Sequence, residues 1–217
     1  DRCFAGNALA CSLITFGEDQ VITEIRNITL NLDELRVRGE DIEVEYRLPL
    51  SGERTGTAGE LSFRVLASHT REASTETLGD VVDRAGQTGG LGSNGLPDWL
   101  VNAYITYTAK PLSVTLQGRY IDSGVLDATR IDPRDAGYAP TVANSTNDNR
   151  VDSRFYVNLF GSVDLPLLGD QQVQLFAAVY NLFDKEPPFA PELQYPTNPT
   201  YFDQIGRTYR VGARIRF

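Results

Sequence analysis

What most constrains this chain is strict alternation of apolar and polar residues, repeated in segment after segment. In the final stretch, GRTYRVGARIRF (206–217) with the isoleucine before it, Ile205, Tyr209, Val211, Ala213, Ile215 and Phe217 fall in one phase, and Thr208, Arg210, Arg214 and Arg216 in the other. Successive side chains of a strand point to opposite sides, so a strand separates these two sets cleanly, whereas a 3.6-residue helix would mix them. The segment WLVNAYITYTA sets Trp99, Val101, Ala103, Ile105 and Tyr107 against Asn102, Tyr104, Thr106 and Thr108. LSVTLQGRY sets Leu112, Val114, Leu116 and Tyr120 against Ser113, Thr115, Gln117 and Arg119. Only Lys110 and Pro111 join these two runs, which makes them antiparallel neighbours.

Further strands are expected over 32–50, 59–75, 154–166 and 172–183, giving seven long strands with the two above and the tail, and a shorter hairpin in SLITFGEDQVITEI. In the first of these the apolar phase shifts between Val37 and Ile42, around Gly39, as at a bulge or a change of environment. The connections alternate in length. SGERTGTA, KP and LLGD are short, while the links near 78–96, 126–149 and 184–204 are long. An up-and-down sheet with one plain and one elaborate rim is the pattern of a transmembrane β-barrel, with short turns on one side and long loops on the other.

Dimensions and charge fit that reading. A strand of about 13 residues spans roughly 43 Å along its axis and about 33 Å when tilted near 40°, enough to cross a bilayer core. Trp99 and Tyr107 stand at opposite ends of one apolar face, and Tyr46, Tyr120, Tyr209 and Phe217 also lie near strand ends, where amphipathic rings favour the headgroup level. If hydrocarbon lies on one side and water on the other, a register slip of one residue would carry the tail arginines into lipid, at about 2 to 4 kcal/mol for any near the midplane. No run of 18 apolar residues is present, so no ordinary transmembrane helix is expected. The formal charge of -9 provides no basic stripe for nucleic acid.

Motifs of chemistry are sparse. GLGSNG (90–95) matches the glycine string of dinucleotide sites, but LPDWLVNAYITY follows it where such a site needs a helix, so a loop tip is expected. The sequence has no GxSxG, HExxH or GKS/GKT, and its single histidine, His69, gives little support to a catalytic triad or a metal site. Neither enzymatic activity nor a cofactor is expected. Asn27 and Asn144 begin N-x-T strings, which matter only in a glycosylating pathway. Cys3 and Cys11 read as two thiols in a reducing compartment or as a small disulfide-closed loop in an exported protein. The chain starts at Asp1 and contains no Met, so the expectation is a mature or excised piece of a longer protein.

YNLFDKEPP followed by YFDQIGRTYRVGARIRF resembles the C-terminal end of a TonB-dependent outer-membrane receptor, on Asn181, Leu182, Phe183, Asp184, Gly206, Arg207, Tyr209 and Phe217. NLNLDELRVRGEDIEVEYRLPL resembles the family's strand with a central glycine and acidic residue, and CFAGNALAC its cysteine-closed outer loops, which implies a Cys3–Cys11 disulfide. The resemblance implies a 22-stranded barrel around an N-terminal plug, importing a scarce ligand with energy delivered by the TonB complex. Seven strands would be numbers 16 to 22, and residues 1–217 the C-terminal portion of the barrel. Tyr209, Val211, Ala213, Ile215 and Phe217 would serve as the signal read by the barrel assembly machinery. The plug and the first fifteen strands are not in this sequence, so the chain alone is not expected to transport, and it would expose two strand edges.

The expected fold is therefore all-β, an antiparallel up-and-down sheet belonging to a transmembrane β-barrel in the bacterial outer membrane, with lipid as a partner. Its function would be barrel wall plus outer loops in an importer of a siderophore, cobalamin, glycan or similar ligand. Loop tyrosines Tyr138, Tyr195 and Tyr201 are candidate ligand contacts. The alternatives are a secreted β-sandwich that binds carbohydrate or protein, and a passive porin.

Overall fold

The computed structural model of the chain describes residues 3, 6–29, 34–51, 58–90, 95–166, 172–191 and 195–216. Two compact units are present, one of Asp1–Arg36 with Ser74–Val82 and one of Val37–Ala73 with Asp83–Phe217.

In the first unit, Asn7 caps the helix α1 (Ala8–Ser12), its side chain accepting the Ala10 N–H. Cys3 and Cys11 are disulfide-bonded, closing an eight-residue separation around this helix. The expected hairpin follows as β1 (Ile14–Phe16) and β2 (Ile22–Ile25), antiparallel with Ile14 opposite Ile25. Its turn is built by Gln20 in the left-handed region at φ 62° and by the Asp19 carboxylate accepting the Val21 N–H.

The long strands are β3 (Glu34–Leu50), β4 (Gly59–Thr77), β6 (Trp99–Ala109), β7 (Leu112–Ile121), β10 (Arg154–Pro166), β11 (Gln172–Tyr180) and β12 (Thr208–Arg216). They form one sheet in the order β12-β11-β10-β7-β6-β4-β3, with the short β5 (Asp80–Asp83) on β4. Each neighbour in this order is the next long strand in sequence, so the sheet is up-and-down, and the pairs with a defined register are antiparallel. The sheet is open: β3 and β12 are its edges, and no closed barrel is formed by the described residues. Two small strands, β8 (Gly124–Val125) and β9 (Arg150–Val151), pair with each other inside a long loop.

Registers follow from the turns and the alternation. The two-residue connection at Lys110 and Pro111, joined by a cis peptide bond, sets Ala109 opposite Leu112 and hence Ile105 opposite Leu116. Two expected boundaries are corrected. β11 ends at Tyr180 rather than at residue 183, because Asn181 turns left-handed at φ 49°. The last strand starts at Thr208, after Gly206 at φ 83°, so Ile205 belongs to the preceding loop and not to the strand face. At Gly39 the backbone lies so close to β4 that an added Cβ would sit 2.3 Å from the His69 carbonyl oxygen, a reason for the glycine that the expected phase shift did not supply.

The hydrophobic core lies at the end of the sheet that carries the long loops. Ile121, Val151, Tyr156, Ala190 and Phe202 form it, with Leu100, Leu126 and Tyr201 packed against them. Only Ile121 and Tyr156 of the five belong to long strands; the remainder comes from residues 122–153 and 181–207. Midway along the strands no such cluster exists among the described residues.

Candidate functional site

The registers give the sheet two unlike faces. On one, Phe63 lies opposite Ile105, Ile105 opposite Leu116, Leu116 opposite Leu159, Leu159 opposite Val179 and Val179 opposite Tyr209. The row one residue along, on the other face, runs through Arg64, Tyr104, Gln117 and Asn158. The described residues leave the apolar face uncovered: Ile105 is 43 % exposed, Leu116 40 %, Val211 81 % and Ile215 51 %, and Val114 is half-buried. Tyr209, Val211, Ala213 and Ile215 share this face of β12 as expected, whereas Phe217 lies outside the described residues. Trp99 stands at the long-loop end of β6 with His69 stacked on it, ring centroids 4.3 Å apart, which accounts for the single histidine.

The polar face carries a hydrogen-bonded chain across three strands. The Gln117 amide nitrogen donates to Asn102 and to the Tyr104 hydroxyl at 3.0 Å, and its oxygen accepts from Asn158. The Asn158 oxygen in turn accepts the Asn181 N–H at 2.8 Å. Nearer β3, Arg64 pairs with Glu43 at 2.8 Å and Ser68 donates to Asp41.

At Asn181 this chain meets the motif that carries the family resemblance. Asn181 is buried, its amide donating to the Lys185 carbonyl and the Asp203 carboxylate while its oxygen accepts the Lys185 N–H. Asp184 accepts the Arg207 N–H at 2.8 Å, and the Cβ of any other residue at 206 would lie 2.9 Å from that carboxylate. The Asn-Leu-Phe-Asp turn and the Gly-Arg step, more than twenty residues apart, thus close one loop upon itself.

The three long loops form a single hydrogen-bonded layer. Ala128 N–H donates to the Gln87 side chain, Val125 N–H to the Gly86 carbonyl, the Asn198 amide to the Thr88 carbonyl, and the Tyr201 hydroxyl to the Gly95 carbonyl at 2.7 Å. Asn149 is buried with its side chain spanning Asp127 and Arg130. Arg134 binds Asp132 and, at 2.6 Å, Asp148. The Arg134 side chain and two backbone N–H groups, of Arg134 and Asn149, hold the Asp132 carboxyl well below the usual carboxylate range. An open cleft of ≈ 450 Å³ lies between residues 85–98 and 123–150 and includes Asp98, whose carboxyl is pushed up by burial and by the nearby Asp122.

Of the three candidate tyrosines, Tyr201 is taken up by the loop core, Tyr138 is half-buried and Tyr195 is exposed; no ring contact joins them. Gly90 and Gly95 of GLGSNG are described, and β6 rather than a helix follows them.

Two smaller clefts on the polar face were not anticipated. The upper, ≈ 280 Å³, is lined among others by Arg119, Tyr156, Asn158, Tyr180 and Asp203; the lower, ≈ 230 Å³, by Thr115, Phe160, Phe176, Tyr180 and Arg210. Thr115, Arg119 and Arg210 sit in the polar phase read from the sequence; what the alternation lacks is the lateral register that gathers them with Tyr156, Phe160, Phe176 and Tyr180.

Comparison with protein-family models, with curated proteins and with solved structures gave no match to this chain.

Proposed function

We propose that this chain is part of the wall of a transmembrane β-barrel in the bacterial outer membrane, belonging to a TonB-dependent receptor that imports a scarce ligand. The observation that carries the reading is the uncovered apolar face. In water, leaving side chains such as Ile105, Leu116, Val211 and Ile215 open forfeits about 25 cal/mol for each Å² that burial would remove. Hydrocarbon on that face removes the cost, and the polar face with its amide chain suits a watery interior. A secreted sandwich needs a second sheet packed on this face, and none of the described residues supplies one.

The receptor assignment, rather than a passive porin, rests on the motif residues Asn181, Asp184, Gly206 and Arg207 and on their mutual hydrogen bonding. The loop layer forms the outer surface, lipid covers the apolar face, and the TonB complex acts through a plug supplied by the rest of the receptor. The disulfide of Cys3 and Cys11 suits an exported protein.

Vesicle flotation tests the first step: the chain should refold into lipid or detergent and rise with vesicles, and a dispersed monomer that needs neither would defeat the membrane reading. For the second step, uptake by cells expressing the complete receptor should stop when TonB is deleted. Uptake that continues unchanged would point to a porin.

A further inference from the structure

His69 is the only histidine of the chain and Trp99 the only tryptophan, and the register of β4 and β6 sets them opposite each other with their rings stacked. From β3, Glu40 reaches the same place. One of its carboxylate oxygens is bound by Arg71; the other, Oε2, is buried and accepts no hydrogen bond from the described residues. Nδ1 of His69 stands 3.5 Å from that oxygen. A buried acceptor without a donor is costly, and the imidazole is the group placed to relieve it.

The other charges near the ring are acidic or already engaged. Burial and then Asp122 disfavour the ionised form of Asp98, the last residue before β6, with Asp83 adding to them, and His69 is the one group that favours it. Asp122 accepts from the Tyr120 hydroxyl at 2.8 Å, and Asp83 from the N–H groups of Ala73 and Ala85. At the flanking positions Asp41 is bonded to Ser68, and Glu72 is paired with Arg38 at 3.3 Å. Arg71 is bound to Glu40 and keeps its proton at any pH the protein meets. An imidazole changes charge between about pH 5 and 8, so His69 brings to this acidic surrounding a charge that comes and goes in that range.

Asp98 is also the root of the long loop that follows β5. Two backbone bonds fix that root: Thr70 N–H donates to the Asp98 carbonyl at 2.9 Å, and Asp122 N–H to the Trp99 carbonyl at 3.0 Å. We propose that His69 is a proton-operated clasp: carrying its second proton it pairs with Glu40 of β3, lies as a cation on the Trp99 ring and attracts Asp98, binding the rim of the sheet to the root of this loop. Loss of the proton removes the charge from all three attractions and leaves Glu40 to Arg71. The attractions exist only while the groups are together, so acid tightens the clasp and rising pH loosens it. The same loop carries Gly86, Gln87 and Thr88, whose bonds to Val125, Ala128 and Asn198 join the loop layer, so the layer is steadied from its root. The clasp does not rest on the importer reading; it requires β3, β4, β6 and their loops in any setting.

The test combines Trp99 emission with amide exchange, from about pH 8 to about pH 5.5, on the full chain in whichever medium flotation shows it to need, micelles or buffer. With one histidine and one tryptophan, emission reads this ring pair alone, and it should fall as the imidazole above the indole becomes charged. Protection of the Thr70 and Asp122 amides, normalised to their intrinsic rates, should rise about tenfold over the same interval, the scale of one charged hydrogen bond gained. The Leu182 amide, bonded to the Val157 carbonyl beyond β7, should show no such rise. His69→Phe keeps a ring stacked on Trp99 without a charge, so its protection should be independent of pH, which separates loss of the proton from loss of packing. Glu40→Gln and Asp98→Asn should each retain the emission change and lose most of the rise in protection. Constant protection at Thr70 and Asp122, with or without a change in emission, overturns the inference, as does a rise that survives in His69→Phe or in both carboxylate variants. Such a failure leaves the barrel reading where flotation puts it, and a chain that does not float can still show the clasp.

Discussion

Asn181 shows how much one buried amide can hold. Its side chain satisfies both backbone groups of Lys185 and one oxygen of Asp203, and its own N–H is taken by Asn158. Asn181→Ala leaves those groups unpaired and should lower stability by about 1 to 3 kcal/mol, read from denaturant unfolding, while Asp184→Asn, on an exposed carboxylate, should cost less. Asp98 and Asp132 give opposite responses to acid. Asp98 has a raised carboxyl pKa, so its ionised form is disfavoured in the fold, and the stability it contributes is present below the unfolded value near 3.9 and lost as pH rises through the folded value. Asp98→Asn should therefore raise the melting temperature at pH 7, with the gain disappearing on acidification toward pH 4. Asp132, with a lowered pKa, stabilises above that same unfolded value and loses its contribution only as pH falls through the still lower folded value. A melting-temperature gain for Asp98→Asn that did not shrink with acid would remove the burial explanation.

At the scale of the strand, adjacent residues of β6 stand in different solvents under the proposed reading. Ile105 and Thr106 are neighbours in sequence at mid-strand, opposite Leu116 and Thr115 of β7, whose threonine hydroxyls are 2.9 Å apart. Ile105→Arg should cost about 2 to 4 kcal/mol in equilibrium refolding into lipid, whereas Thr106→Arg should be nearly neutral. Equal penalties at both positions would mean that the two faces are not solvated differently. The same alternation made the strands readable: β6 and β10 have the expected bounds, and β4 and β7 are within two residues of theirs. Errors fell at Asn181 and Gly206, where the backbone turns left-handed and hydropathy carries no signal.

For the molecule as a whole, an open sheet ending in β3 and β12 leaves two rows of backbone donors and acceptors without strand partners among the described residues. In detergent the chain should pair along these edges, so that sedimentation gives species larger than one chain at micromolar concentration and smaller ones on dilution. A strict monomer at all concentrations would argue that the edges are protected in some other way. Edge pairing involves β3 and β12, while the loop core of Ile121, Val151, Tyr156, Ala190 and Phe202 should persist through dissociation. Amide exchange can follow the two separately.

Period-two hydropathy by itself determined the strand identities, the two faces and the alternation of short and long connections, because a strand exposes each residue to one side or the other and the solvent on each side selects the residue type. Nothing in that local code specifies what distant loops do to one another. The joining of residues 83–98, 122–153 and 181–207 into one layer and the closing of Asp184 onto Arg207 arise from lateral register and long-range hydrogen bonds. Those were decided only when the strands came together, since the position of a side chain across a sheet depends on its neighbours' offsets as well as on its own phase.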